Sequence, residues 1–259
     1  MYLRYVPLSL QNRKNINEAK LTDVMTLALM CWQVDMGVTN QAKFYRFLKG
    51  IFVKSLLPER SRFNRICNNE GLVIRDIRLG LIHDKVNPNF TIIDSFPMFL
   101  CQQVRNFRVK LMNNYANKGY NSTKKLFFYG YKAHCEVSDS GIVLAYSITS
   151  GSVHDVNVAK TLLNQYSSPL VLADKGYISK SLKDDLRYKG INLETPSRSN
   201  MKNHPKDEAW IVKHRLRIET TFSQLKSEFN IEHDRGRTTK GYQTRFEQCL
   251  LVDTYRKLN

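Results

Sequence analysis

The spacing of hydrophobic positions changes along the chain and divides the sequence into two parts. Over residues 16–82, apolar residues recur every three to four positions. This period predicts amphipathic helices at about 20–36, 39–56 and 59–70, separated by glycine and proline. From about residue 88 the apolar period shortens and strand patterns begin. We therefore expect a small helical region followed by a region that contains a sheet.

The second part alternates strands with helices. Strands are predicted at 89–94, 124–137, 142–150, 169–174 and 191–196, and helices at 154–166, 178–190, 208–230 and 242–257. The second and third strands flank the turn sequence SDSG and predict an antiparallel hairpin. The later alternation of strand and helix predicts parallel pairing. The expected fold class is α/β (α+β), a mixed sheet flanked by helices and preceded by a small helical domain.

A positive charge is spread over the whole chain. The 259 residues carry 40 Lys and Arg against 23 Asp and Glu, a net charge of +17. The excess is +7 over residues 1–90, +6 over 91–200 and +4 over 201–259. A broad basic surface suits a polyanion such as nucleic acid, although a basic protein without that role remains open. The helical region contributes Lys43, Arg46, Lys49, Lys54, Arg60, Arg62 and Arg65, which suit DNA contacts or a solvated helix surface equally well.

Cysteine usage and hydropathy both favour a cytoplasmic protein. The five cysteines are far apart and form no C-x-x-C pair, which argues against a zinc site and against a disulfide framework. The longest apolar stretch, 21–34, is shorter than a membrane span and contains Asp23. We expect a core helix there, no membrane association and no secretion signal.

Two aspartates directly follow apolar strands. Asp94 ends the stretch NFTIID, and Asp174 ends PLVLAD. Reactive groups collect at the carboxyl edge of the strands in sheets of this kind. If the two strands are parallel neighbours, the two side chains converge there. Adjacent carboxylates repel each other, and a divalent cation relieves that repulsion. The pair therefore predicts a site for Mg²⁺ or a similar ion.

The helix at 208–230 supplies a third acidic candidate. Its apolar stripe, which should face the core, consists of Ile211, Ile218, Phe222, Leu225 and Phe229. Arg215, Glu219 and Lys226 line up beside that stripe. An ion-pair ladder on the surface would give the same spacing, so the pattern by itself leaves both interpretations open.

Five blocks of sequence resemble a bacterial insertion-sequence DDE transposase. They are IIDSFPM, GYNSTKKLFFYGYKAH, GSVHD, LADKGYIS and RIETTFSQLK, in this order between about residues 90 and 245. The resemblance implies a ribonuclease-H-like catalytic domain in which Asp94, Asp174 and Glu219 bind Mg²⁺ or Mn²⁺, with two ions expected. Arg215 and Lys226 match the basic positions of the family's motif around the final glutamate. Val212 stands where many relatives have tyrosine.

The resemblance also implies a function and partners. It implies metal-dependent phosphodiester hydrolysis at transposon ends and strand transfer into target DNA. The partners would be inverted-repeat ends and target DNA, bound by a homodimer or higher oligomer in the bacterial cytoplasm at the nucleoid. The corresponding domains are a helical DNA-binding region over 1–86 and a catalytic domain over 87–259. The N-terminal region is short beside many relatives, which suggests residues missing before Met1.

Several further residues and functions stay open. Lys175 and His154 are candidate DNA contacts, while Asp155 is expected to begin a helix. His134 is expected to be a core histidine, and Lys124 to be solvated or to contact phosphate. Two other functions compete with transposition: a non-transposing nuclease of the same fold, and an inactive DNA-binding remnant.

Overall fold

The computed structural model divides into two compact units. One contains Met1–Val86 together with Glu228–Asn259, and the other contains Asn87–Ser227. The structure describes residues 1–12, 16–53, 55–102, 104–105, 115–121, 125–198, 205, 207–233, 236 and 238–259. Lys54 and Lys124 lie outside the described residues.

Within its described residues, the first unit contains helices and no strands. Its helices are α1 Tyr2–Tyr5, α2 Leu8–Gln11, α3 Asp23–Asp35, α4 Gln41–Ile51, α5 Arg60–Asn69, α6 Gly71–Lys85 and α10 Thr239–Leu258, with short 3-10 turns at Ile16–Glu18 and Ile231–His233. Polar caps fix where α3 and α4 begin. Thr22 Oγ1 accepts the Met25 N–H at 3.2 Å, and Asn40 Oδ1 accepts the Lys43 N–H at 3.0 Å. The predicted helices at 20–36, 39–56 and 59–70 correspond to α3, α4 and α5.

The core of this unit joins both ends of the chain. Buried side chains of α3 to α6, including Leu48, Phe63 and Ile74, pack together with Leu251 of α10. Residues 228–259, placed in the second region by the sequence prediction, therefore belong to the same compact unit as residues 1–86. The sequence pattern shows that α10 has an apolar face but not which surface covers that face.

A buried ion pair links α6 to α10. Arg78 Nε donates to Glu247 Oε2 at 2.7 Å and Arg78 Nη2 donates to Glu247 Oε1 at 3.3 Å. The two side chains keep only 2% and 4% of their accessible surface. Such a bidentate pair compensates two charges that would otherwise be costly to bury.

The second unit contains a mixed sheet and its flanking helices. The elements are β1 Thr91–Gln102, β2 Asn117–Asn121, β3 Leu126–Ser138, β4 Val143–Ser150, α7 Asp155–Leu163, β5 Leu170–Ala173, α8 Lys180–Tyr188, β6 Asn192–Glu194 and α9 Glu208–Phe229, the last of which ends two residues beyond the unit. Among the described residues, the strand order is β2-β3-β1-β5-β6, and β4 also pairs with β3. The β1–β5 and β5–β6 pairs are parallel, and the others are antiparallel. The predicted fold class is confirmed.

Two details of the sheet differ from the sequence prediction. β1 does not end at Asp94 but continues to Gln102, because residues 95–102 keep pairing antiparallel with β3 after the parallel pairing with β5 has stopped. The strand β2, NKGYN, was not predicted, since its sequence has no apolar alternation. Pairing with β3 makes it a strand.

One face of the sheet is covered by α7 and α8. Buried residues of these helices, such as Leu162 and Leu186, pack against Ile93, Val171 and Leu193 of the sheet. Within the described part of the chain, no helix is both long and apolar enough to cross a membrane.

Removing one partner of the Arg78–Glu247 pair should destabilise the protein strongly. We expect Arg78→Met to lower the free energy of unfolding by about 3–5 kcal/mol, because Glu247 is left as an uncompensated buried charge. The double variant Arg78→Met/Glu247→Met should recover most of that loss. Lys160→Met breaks an exposed pair with Asp185 and should cost at most about 1 kcal/mol. Urea unfolding measures all three, and equal losses for Arg78→Met and Lys160→Met would contradict the expectation.

Glu136 should make stability fall with rising pH. It is fully buried in β3 and accepts a hydrogen bond from Thr91 Oγ1 at 2.8 Å, while burial raises its pKa from 4.5 to about 8. The protonated acid therefore stabilises the fold below about pH 4, and this contribution is lost as the pH rises to about 8. We expect Glu136→Gln to gain stability relative to the parent over this window, by roughly 2–5 kcal/mol at its upper end. Urea unfolding across the window measures the difference, and a difference independent of pH would contradict the assignment.

Candidate active site

Asp94 and Asp174 lie side by side where two parallel strands stop pairing. The last paired residues of β1 and β5 are Ile93 and Ala173, and each aspartate follows directly. Because the two strands run in the same direction, both carboxylates are at the same end of the paired segment. The charge of Asp174 raises the pKa of Asp94, as expected for neighbours. The structure therefore brings these two predicted residues together.

Asp94 resists ionisation. Its side chain keeps 23% of its accessible surface. Burial, and then the charges of Asp174 and Asp155, raise its pKa to about 7, although the Ser95 N–H and Arg215 act in the opposite direction. The Ser95 N–H donates to Asp94 Oδ1 at 2.7 Å. A carboxyl group held in this state is typical of a functional site.

The backbone fixes the position of Asp174. Asp174 caps a 3-10 turn over Lys175–Tyr177, and the Gly176 N–H donates to its Oδ1. A Cβ at Gly176 would come within 2.9 Å of that oxygen, so a larger residue there would displace the Asp174 carboxylate. Lys175 is exposed, and its carbonyl accepts a hydrogen bond from Arg198 Nη2 at 3.2 Å.

A third carboxylate, Asp155, lies beside this pair and was not predicted as a site residue. It is the first residue of α7, as expected from the sequence. Its Oδ1 accepts hydrogen bonds from Ser95 Oγ at 3.0 Å and from Lys132 Nζ at 3.1 Å. His134 Nδ1 is 3.5 Å from the same oxygen. Lys132 and His134 are two residues apart in β3 and so share a face of the sheet. This spacing was the one feature of the sequence that could have indicated a polar partner such as Asp155.

Two buried side chains complete the surroundings of Asp155. His134 is fully buried with Nε2 2.9 Å from Thr149 Oγ1, and burial lowers its pKa to about 4, so the imidazole is neutral. The prediction of a core histidine is confirmed. Burial, followed by the charges of Asp155, Asp94 and Asp174, raises the pKa of Tyr177 well above its ordinary value. His154 caps α7 by its backbone alone, and its side chain is exposed.

Helix α9 approaches Asp94 through Arg215. The predicted apolar stripe is confirmed, since all five of its residues are buried: Ile211, Ile218, Phe222, Leu225 and Phe229. Phe222 packs on Phe96 of β1 with ring centroids 4.7 Å apart. Arg215 Nη2 then lies 3.8 Å from Asp94 Oδ2. Lys226 Nζ lies 5.4 Å from the centre of the Phe96 ring.

Glu219 is one helical turn beyond Arg215 and is exposed. Two bonds hold this part of α9 against the β3–β4 turn: Arg217 Nε donates to the Asp139 carbonyl at 3.1 Å, and Thr221 Oγ1 donates to the Gly141 carbonyl at 3.2 Å. Within the described residues, no group of three or more His, Cys, Asp or Glu side chains is arranged to hold a metal ion. Glu219 as a third ligand therefore stays a prediction.

The donor set at Asp94 and Asp174 fits a hard divalent cation. Carboxylate oxygens are the ligands that Mg²⁺ prefers, and this ion is often held by only one or two carboxylates. A cation between them would also offset the repulsion and burial that raise the pKa of Asp94. The two aspartates are thus the residues that could hold such an ion.

A family model matches the segment of the chain that contains these residues. A family model described as "Transposase DDE domain" matches residues 86–239, a segment that contains Asp94, Asp174 and Glu219. No curated protein matches the sequence. A similar solved structure is the cryo-EM structure of the piggyBac transposase synaptic complex with hairpin DNA, with 16% identity and a TM-score of 0.37. The similarity covers 77% of this chain and 47% of that chain, so this chain spans less than half of that protein.

The structural similarity is too low to establish a shared activity. The family match stands independently, because it covers more than half of the chain and includes the strands that carry both aspartates. The chain belongs to the DDE transposase domain family.

Proposed function

We propose that the chain is the transposase of an insertion sequence, which hydrolyses phosphodiester bonds at transposon ends and transfers the strands into target DNA. One observation carries the proposal: Asp94 and Asp174 are adjacent at the end of the β1–β5 pairing, inside the segment that matches the family. A bacterial source, and action in the cytoplasm on nucleoid DNA, are parts of the same proposal.

Asp94, Asp174 and Glu219 are the proposed ligands of Mg²⁺ or Mn²⁺. Bound ions would stabilise the attacking and leaving oxygens of the phosphodiester. Glu219 follows Arg215 by four residues, a rise of about 6 Å along the helix on nearly the same face. Since Arg215 already reaches Asp94, the Glu219 carboxylate is available to the same region.

The neighbouring residues orient the carboxylates of Asp94 and Asp174. The Ser95 and Gly176 N–H groups orient Asp94 and Asp174, and Arg215 partly offsets the charge of Asp94. Asp155 is occupied by Ser95 and Lys132, so we assign it a positioning role through Ser95 rather than a ligand role.

DNA is the proposed partner. Arg215, Lys226, Lys175 and His154 are the proposed contacts with the strand near the cleaved bond, and the net charge of +17 favours association with phosphate along a longer surface. The piggyBac structure contains a synaptic complex with hairpin DNA. Paired ends would be held by a homodimer or higher oligomer of this chain.

Replacing Asp174 should abolish cleavage without abolishing DNA binding. We expect Asp174→Asn to slow Mg²⁺-dependent cleavage of a duplex carrying the inverted repeats that flank the coding region by about 10³-fold, since several kcal/mol of transition-state stabilisation are lost. Asp184→Asn makes the same change at an exposed position of α8 and should leave cleavage unchanged. Gel analysis of cleaved and strand-transferred products measures both reactions. Cleavage without strand transfer in the parent would identify a non-transposing nuclease instead.

Replacing Glu219 tests the third ligand directly. Glu219→Gln should reduce cleavage to a degree similar to Asp174→Asn and weaken Mn²⁺ binding measured by calorimetry. Because the side chain is exposed, the free energy of unfolding should change by less than about 0.5 kcal/mol. Glu228→Gln, at the end of the same helix, is the matched control and should cleave normally. Full activity of Glu219→Gln would remove Glu219 from the site.

A further inference from the structure

A pocket of about 420 Å³ lies in the helical unit and contains none of the proposed active-site residues. Residues of α3, α4, α5 and α10 line it, together with Gly236 and Thr238. Side-chain amides and hydroxyls such as Asn40, Asn64, Asn68 and Thr238 form much of the wall. Its volume is within the range of ligand sites in proteins. We call it the Arg245 pocket.

The charge of the Arg245 pocket has one sign. Arg60 and Arg245 are in the wall, and the described lining residues include no aspartate or glutamate. Glu59, beside the pocket, interacts with Arg60, so Arg245 is the cation without a nearby carboxylate among the described lining residues. A cavity whose wall carries cations attracts anions.

Arg245 lacks acceptors in its present position. Both terminal nitrogens, Nη1 and Nη2, are buried, and neither has a hydrogen-bond partner among the described residues. Unpaired buried donors on a charged group are costly and rare in proteins. Two residues further along α10, Glu247 accepts two hydrogen bonds from the buried guanidinium of Arg78, so this unit does pair a buried arginine with a carboxylate.

The N-termini of two helices also favour an anion in the pocket. α4 and α10, of 11 and 20 residues, begin at the pocket with Asn40 and Thr238 as their caps. These caps are neutral and satisfy the N–H groups of Lys43 at 3.0 Å and Gly241 at 3.1 Å. The positive ends of both helix dipoles thus remain without a counter-charge from their caps.

α5 differs from these two helices in its cap. It begins beside the pocket at Arg60, but the carboxylate of Glu59 accepts the N–H groups of Ser61 and Arg62. A protein carboxylate therefore already occupies the anion position of α5, whereas the corresponding positions of α4 and α10 have only neutral caps.

We propose that the Arg245 pocket binds a phosphate group, with the planar guanidinium of Arg245 as its main donor. A guanidinium matches the oxygens of phosphate in a bidentate geometry, and the amide and hydroxyl wall supplies further donors. The phosphate comes either from a DNA backbone or from free phosphate or a nucleotide. This assignment is independent of catalysis, because no proposed metal ligand belongs to this unit.

Thermal unfolding of the full chain tests phosphate binding. Inorganic phosphate at about five times its Kd should raise the Tm of the parent by about 2–4 °C relative to chloride at equal ionic strength. Arg245→Gln should lose this shift while remaining folded, since it removes an unpaired buried charge. Arg60→Gln, at an exposed position, should reduce the shift and serves as a second variant. Arg75→Gln removes the same charge from an exposed position of α6 outside the pocket and should keep the shift.

Binding to duplex DNA, followed by fluorescence anisotropy over a salt series, separates the two sources. If DNA supplies the phosphate, Arg245→Gln should weaken binding by about tenfold and reduce the salt slope by about one, whereas Arg75→Gln should not. If DNA binding is unchanged while the phosphate shift is lost, the ligand is free phosphate or a nucleotide. The proposal is overturned if the parent shows no phosphate shift, if Arg245→Gln retains it, or if Arg75→Gln loses it equally. Loss of cleavage in Asp174→Asn bears on the active site alone.

Discussion

The site of the second unit depends on one constraint: two carboxylates, one of them largely buried, are held at the end of one parallel strand pair. Asp94 and Asp174 cannot move apart, because each directly follows a buried residue that is paired across β1 and β5. The Ser95 and Gly176 N–H groups and Arg215 compensate part of their charge. Burial, followed by the charges of Asp174 and Asp155, outweighs this compensation, since the pKa of Asp94 remains at about 7. A bound divalent cation would complete it.

Successive side chains of β1 point to opposite faces of the sheet, so the residues that surround the two aspartates lie on both faces. Asp94 and Phe96 face α9, where Arg215 and Phe222 meet them. Ser95, on the other face, holds Asp155, and through it Lys132 and His134 are linked to the site. One strand therefore couples the packing of two helices to the position of the carboxylates, which explains why β1 has to continue beyond Asp94.

In the helical unit, Arg78 and Arg245 have opposite environments. Arg78 is buried and fully compensated by Glu247, which makes it part of the structure of this unit. Arg245 lies in the wall of a cavity without an acceptor among the described residues. The difference separates a charge that stabilises the fold from one that remains available to a ligand. We therefore propose two distinct sites for phosphate in this chain, one for cleavage and one for binding.

The sequence by itself determined most of the strands and helices, the positions of Asp94 and Asp174 at the ends of apolar runs, and the buried stripe of α9, because these follow from local periodicity. The tertiary structure decided that the strands of the two aspartates are parallel neighbours. Tertiary structure decided the extension of β1, the strand β2, the contact of Asp155 with Ser95 and Lys132, and the packing of residues 228–259 with the N-terminal helices. It also decided that Arg245 faces a cavity while Arg78 meets Glu247. These features depend on contacts between residues that are distant in the chain. The sequence pattern shows which side chains are polar, but it does not show which residues will contact them in the folded protein.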